Sequence, residues 1–287
     1  MSAGGPPAGR HSELVRRIGT AVVALPLLLL GMLWAPPAVG LAIVTIAIAL
    51  GAWEFDALLR ARDLKAFRAG GALVLALAYA KVGLLGWPIA FRDGWHFPLP
   101  LWPLAAVVIL TALLLRASDF ARDVPAAALT LLGAIYLGGL GGSIAALRIM
   151  PPIERGSLRI ALLVAIVMAA DTAAYFVGRA LGRHKLAPAI SPGKTIEGAV
   201  GGVAGGVLGA WAVSAAGLEL PPVHVVVLGV LVTLAAIAGD LLESLLKRWA
   251  GVKDSGRLFP GHGGMLDRLD SLLFGAAVLY YYFSLFG

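Results

Sequence analysis

The sequence predicts an all-α, polytopic integral membrane protein with about nine transmembrane helices. Three observations carry this. The 287 residues are 60% hydrophobic and only 14% charged, where a soluble domain would carry about a quarter charged residues. Mean hydropathy is +0.90, and window after window of about 18 to 20 residues holds almost no charge, the length that crosses a hydrocarbon core. The 37 glycines, with abundant alanine, suit helices that approach closely where lipid removes the hydrophobic drive to associate. A single core of the soluble kind is excluded. The chain has no Cys, which excludes a disulfide framework, a thiol nucleophile and a Cys metal site.

The elements follow in order. Residues 1–17, MSAGGPPAGRHSELVRR, read as a flexible basic tail. No signal-peptide cleavage pattern follows, and the first apolar stretch is long enough to stay as a span. Apolar segments are predicted at 18–34, 39–59, 70–90, 100–115, 124–147, 158–180, 196–217, 221–243 and 271–286. The fourth and ninth are short and the third contains Lys81, so eight spans is the alternative. The chain divides into N-terminal transmembrane helices over 18–155 and a C-terminal catalytic region over 156–287.

Charge sets the orientation. The net charge of +7 sits in short loops, where cations orient spans and meet anionic headgroups, so nucleic acid is not the expected partner. With the N-terminus inside, cytoplasmic segments hold 18 of the 23 Lys and Arg residues. The exception is the external loop 148–159, with Arg148, Arg155 and Arg159. The bias predicts N-in and C-out, which puts 179–197 and 244–270 on one cytoplasmic face. The external loops WAPPA, RDGWHFPLP and LELPP suit an interfacial belt. No internal repeat is visible, which argues against a repeat-built transporter.

Four polar constellations stand out. Asp171 lies midway along the sixth apolar segment, where a carboxylate costs on the order of 3 kcal/mol and so faces a cavity or a partner. Its alternatives are a functional role or a structural pairing with Lys or Arg. Glu54 and Asp56 are less telling, since both could simply emerge beside Arg60. Second, Ser191-Pro192-Gly193-Lys194-Thr195 superficially resembles a phosphate loop, but Pro188 stands where the first Gly of that motif belongs and no strand is expected ahead of it. Ser191 or Thr195 can cap the following helix, whose amides favour an anion; Lys194 adds a full charge and Glu197 suits the helix dipole. An ordinary cap with orienting lysines is the other reading. Third, Asp240, Glu243, Ser244 and Lys247 fall at i, i+3, i+4 and i+7 and share a helix face, which a span leaving the membrane would also produce. Fourth, Lys253-Asp254 leads into Pro260-Gly261-His262-Gly263-Gly264, then Asp267, Arg268 and Asp270. Glycines let backbone amides approach a phosphate, and hard carboxylates without Cys or clustered His select Mg²⁺ over Zn²⁺. His262 serves as a general base or, in the favoured reading, as a phosphate donor or turn residue. Together these groups specify a site that neutralises phosphate charge, the main requirement of nucleotidyl and phosphoryl transfer.

The run Ser244–Asp270 resembles the signature of the phosphatidate cytidylyltransferase (CDP-diacylglycerol synthase) family. The matching positions are Ser244, Lys247, Arg248, Lys253, Asp254, Gly256, Phe259, Pro260, His262, Gly263, Gly264, Asp267, Arg268 and Asp270. DTAAYFVGR, SPGKTIEG and GDLLESLLKR upstream are similar to that family too, with Gly193 and Ile196 as mild departures. The resemblance covers about 160–287. It implies that CTP and phosphatidate yield CDP-diacylglycerol and pyrophosphate, with Mg²⁺ and in some members a monovalent cation such as K⁺. It implies a homodimer in a bacterial cytoplasmic membrane, with the site facing the cytoplasm. Asp240 and Asp267 are the implied metal ligands. Lys247, Arg248, Lys253 and Arg268 are expected to neutralise triphosphate and pyrophosphate, Ser191 and Lys194 to hold the phosphatidate headgroup or CTP, and Asp171 to complete the cavity. A CTP-dependent lipid kinase and a transporter using Asp171 and Glu54 are the rival readings. A CDP-alcohol phosphotransferase would show Asp-Gly-x-x-Ala-Arg, which is absent.

Overall fold

The computed structural model describes residues 31–66, 68–80, 101–116, 118–256, 258 and 263–286. The first predicted span, the second half of the third, and His262 lie largely or wholly outside these. The described chain is almost all helix. Helix α1 spans Pro37–Arg60, opened by a proline whose fixed φ suits a first turn. Helices α2 (Arg68–Tyr79) and α3 (Leu101–Arg116) follow. Helix α4 (Phe120–Gly133) is capped by Asp119, which accepts from Ala121 N at 3.1 Å. It runs through a π-helical stretch, Ala134–Leu140, into α5 (Gly141–Ile149). Helix α6 covers Gly156–Leu181, α7 Ile196–Val213, α8 Pro222–Ala250 and α9 Leu266–Phe286.

Among the described residues, six helical runs are long and apolar enough to cross a membrane: Pro37–Arg60, Phe120–Ile149, Ile153–Leu181, Ile196–Leu218, Pro222–Ala250 and Leu266–Phe286. Helix α2, of 12 residues, falls on predicted span three, whose second half lies outside the described residues, and α3, of 16 residues, matches the length of predicted span four. Two boundaries differ from the hydropathy reading. Helix α8 continues seven residues past 243, and α9 begins five residues before 271. Polar side chains do not interrupt a backbone hydrogen-bond ladder, so a fall in hydropathy marks a change of face rather than the end of a helix. The all-α expectation also needs a small amendment. Strands β1 (Lys185–Ala187) and β2 (Ser191–Thr195) pair antiparallel between α6 and α7. Three and five residues are too few to show a period of two in sequence.

Helices α6 and α7 form the most extensive helix pair, and glycine makes it possible. A Cβ on Gly205 would sit 2.5 Å from both the Ala169 carbonyl oxygen and the Ala173 Cβ, and one on Gly209 2.5 Å from the Ala165 carbonyl oxygen. Backbone cannot give way as a side-chain tip can. Gly205→Val is therefore expected to destabilise the α6–α7 pair by about 1–3 kcal/mol, as overpacking does, read as a lower melting temperature in detergent.

At the opposite end of the bundle the structure accounts for the arginines that break the charge bias. Arg148 is buried and donates to the carbonyls of Met32 (3.2 Å) and Ala35 (2.8 Å). Arg159 is buried and donates to Met150 (2.5 Å) and Pro151 (2.9 Å). Both cations satisfy chain carbonyls that would otherwise be orphaned.

Candidate active site

The two polar segments converge at one end of the bundle. Helix α6 leads into the β1–β2 hairpin, and Thr195 caps α7, its Oγ1 accepting from Gly198 N at 3.1 Å. Glu197 closes the base of the hairpin: it accepts from Arg183 N (3.1 Å) and His184 N (3.2 Å) and contacts His184 Nδ1 at 2.6 Å. Its carboxylate is thus occupied by the hairpin itself, and it shapes the turn that carries Ser191 and Lys194.

Asp171, Ser191, Lys194, Thr195 and Asp240 line one open cavity of about 650 Å³, within the range for small-molecule sites. Tyr175, Arg179, Gly193 and Ile237 share its wall. The Lys194 ammonium pairs with Asp240 across the cavity, hairpin to α8. Asp171 and Asp240 each stand ten residues before the end of their helix, about 15 Å along the axis. The cavity therefore reaches below the helix ends, with the exposed Asp171 and the half-buried Asp240 on its wall. Asp171 makes no hydrogen bond to a described residue; its charge is acted on by Asp240, Lys194 and Arg268. Asp270, on the first turn and a half of α9, feels both Asp240 and Asp171 and accepts from Ser271 N at 2.6 Å.

Behind the cavity lies a tighter cluster. The Lys247 ammonium pairs with Glu243, one turn back on α8, and with Asp267 Oδ1 at 2.6 Å. Asp267 Oδ2 accepts from Ser255 N (3.0 Å), Ser255 Oγ (2.8 Å) and Gly264 N (2.7 Å). The loop that delivers these donors needs Gly263: its φ is +81°, and a Cβ there would lie 2.5 Å from Asp267 Oδ2. Ser244 Oγ reaches Asp240 Oδ1 only at 3.4 Å. Arg248, Lys253, Asp254 and Arg268 are exposed; none of them lines the cavity, though Arg268 acts on the charge of Asp171.

The donor set suits Mg²⁺ in kind. Among the described residues no three His, Cys, Asp or Glu side chains form a ready-made metal cluster. Mg²⁺ asks for less, since it keeps waters and substrate phosphates and takes one or two carboxylates. Asp240 is the freer of the two expected ligands, its Oδ1 held only by the long Ser244 contact. Asp267 has Oδ2 filled by three donors and keeps lone-pair capacity at Oδ1 beside Lys247.

A family model for the cytidylyltransferase family matches residues 15–286. The chain belongs to the cytidylyltransferase family. Among curated relatives, a phosphatidate cytidylyltransferase of Brucella suis biovar 1 (strain 1330) is 44% identical over 154 residues, 54% of this chain and 56% of the relative. The phosphatidate cytidylyltransferase of Bacillus subtilis (strain 168) is 43% identical over 122 residues, 42% of this chain and 45% of the relative. An uncharacterized protein, YnbB, of Escherichia coli (strain K12) is 38% identical over 130 residues, 45% of this chain and 44% of the relative. The chain spans about half the length of these relatives. The family assignment agrees with the resemblance read from Ser244–Asp270.

Some residues of this cytidylyltransferase-family site escaped the sequence. Arg179 lines the cavity and donates to Tyr175 Oη at 3.0 Å, yet in sequence it reads as one more orienting cation. Glu243 shares the predicted helix face, but only the fold shows that it is wholly buried under Lys247. Asp56 follows the plain reading and pairs with Arg60 and Arg68. Glu54, its neighbour, does not.

Proposed function

We propose that this chain is a phosphatidate cytidylyltransferase of a bacterial cytoplasmic membrane. It converts CTP and phosphatidate to CDP-diacylglycerol and pyrophosphate with Mg²⁺, as a homodimer, from a site facing the cytoplasm. The observation that carries the reading is the Lys194–Asp240 pair. It joins the cation-rich hairpin segment to α8 across an open cavity set into the bundle, near the carboxylates Asp171 and Asp270.

In this reading a phosphatidate phosphate oxygen attacks the α-phosphorus of CTP. The bond from that phosphorus to the bridging oxygen breaks, and pyrophosphate leaves with the electron pair. The attacking phosphate is ionised near neutral pH, so no side chain need act as a strong base. Lys194 and Ser191 hold a phosphate at the hairpin. Arg248, Lys253 and Arg268 meet the charge that accumulates on the leaving pyrophosphate. Lys247 keeps Asp267 aimed. Asp240 and Asp267 would hold Mg²⁺, which when bound supplies charge neutralisation across the CTP phosphates, with K⁺ as the monovalent ion of the same reading. Acyl chains stay in lipid beside exposed apolar residues such as Tyr175, Phe176 and Val200.

The orientation, nine spans with N-in and C-out, is part of the proposal. It is supported by the end of the bundle that carries the site, which also carries Arg60, Arg62, Lys65 and Arg68. It gains further from Arg148 and Arg159, which are consumed by carbonyls, leaving Arg155 as the free cation among the three of that external loop.

The test is incubation of the purified full chain, in detergent with phosphatidate, with labelled CTP. CDP-diacylglycerol and pyrophosphate should appear in equal amounts, cease with EDTA and return with Mg²⁺. Release of CDP with a phosphorylated lipid would instead identify a lipid kinase and overturn the reading.

A further inference from the structure

Glu54 is 1% exposed and lies near the end of α1, in the half of the chain that carries almost no candidate chemistry. It has no cationic partner among the described residues. Its carboxylate is instead occupied by the far end of the sequence. Oε1 accepts from Met265 N at 3.0 Å and Oε2 from Leu266 N at 2.8 Å, while Ser255 Oγ, whose one proton is shared with Asp267, stands 3.1 Å from Oε2. Met265 and Leu266 are the entry to α9, where the first amides have no helical acceptor. Glu54 thus caps a helix more than two hundred residues away, and its negative charge sits at the positive end of that helix's dipole. The loop leaves room for it: a Cβ on Gly256 or on Gly264 would collide with the Glu54 carboxylate.

The contact continues to the proposed reaction centre. Ser255 Oγ stands 3.1 Å from Glu54 Oε2 and 2.8 Å from Asp267 Oδ2. Ser255 N and Gly264 N also bond Asp267. The donors that orient Asp267 therefore belong to the same short segments that Glu54 holds. We infer that Glu54 is a positioning residue: it anchors residues 255–256 and 263–266 to α1 and thereby sets the orientation of Asp267. For its effect on turnover this rests on the cytidylyltransferase reading; for the anchoring it does not.

The experiment uses the full chain in detergent with Glu54→Gln, Glu54→Asp and Ser255→Ala. A glutamine cannot accept on both sides, since its amide nitrogen turns a donor toward a backbone N–H. Hydrogen–deuterium exchange is the arm independent of activity. Amides 263–266 should exchange at least tenfold faster in Glu54→Gln, while those of α6 and α7 stay as in the parent protein. Turnover should fall at least tenfold at unchanged KM for the substrate whose KM responds to Lys194→Ala, because the hairpin that carries Ser191 and Lys194 makes no contact with Glu54. Glu54→Asp should recover part of both, and Ser255→Ala should lower turnover with a smaller change in exchange. Parental exchange in 263–266 overturns the anchoring. Faster exchange with parental turnover overturns the link to Asp267. A parent protein that forms no CDP-diacylglycerol removes the functional reading, and the exchange arm still decides the anchoring.

Discussion

Asp267→Asn is expected to reduce turnover by at least 100-fold, the scale of losing a preorganised charge at a reacting phosphate. The geometry leaves the amide no satisfactory orientation. With its oxygen in the place of Oδ2 it keeps Ser255 and Gly264 but turns N–H toward the Lys247 ammonium. Flipped, it places N–H against two backbone N–H groups. In both cases Lys247 is left balanced by Glu243 alone in a cluster where the Lys247 and Asp267 side chains are 14% and 7% exposed. Breaking a buried pair of this kind costs about 3–5 kcal/mol, so the melting temperature in detergent should fall as well. The Mg²⁺ concentration for half-maximal rate should rise. Near-parental turnover with unchanged Mg²⁺ dependence would exclude Asp267 from the metal site.

Lys194→Ala should act differently. The Lys194 and Asp240 side chains are 26% and 32% exposed, so the pair itself contributes little to stability, about 0–1 kcal/mol. The melting temperature should hardly move. Catalytic efficiency should fall by about 100-fold, because a full positive charge leaves the cavity wall and Asp240 is left facing substrate phosphate without its counter-charge. Lys194→Arg should recover part of the loss, since it restores charge but presents a planar fork in place of a point ammonium. Steady-state kinetics against CTP and phosphatidate separately will show which substrate the hairpin holds. Unchanged kcat and unchanged Michaelis constants for both would remove Lys194 from the site.

The contrast between these variants follows from burial, and burial is what the sequence conveys least. Asp240, Ser244 and Lys247 share a helix face by spacing alone, and the structure keeps them on α8. Which of them meets the cavity is another matter: Asp240 lines it, whereas the Lys247 ammonium turns to Glu243 and Asp267. Ser191, Lys194 and Thr195 were legible as a cap with a nearby cation. The short hairpin that aims Lys194 across to Asp240 was not, because its strands are held by long-range pairing rather than by local pattern. Arg148 and Arg159 looked like violations of the charge bias, and they are internal caps.

What the sequence determined by itself is whatever depends on composition and on local order. Hydropathy set the membrane class, because water-to-lipid transfer is nearly additive along a chain. The residues of Ser244–Asp270 carry the resemblance to the family, because a signature made of neighbouring residues is wholly local order. What the tertiary structure decided is which groups are buried against which. Glu54 and Asp56 are two residues apart and equally acidic in sequence. One ends in an ion pair with Arg60 and Arg68, and the other at the start of α9 beneath the Asp267 loop. Residues two apart on a helix point about 200° from each other, so the difference between a surface pair and a structural anchor lies in what α1 packs against, and no local pattern carries that information.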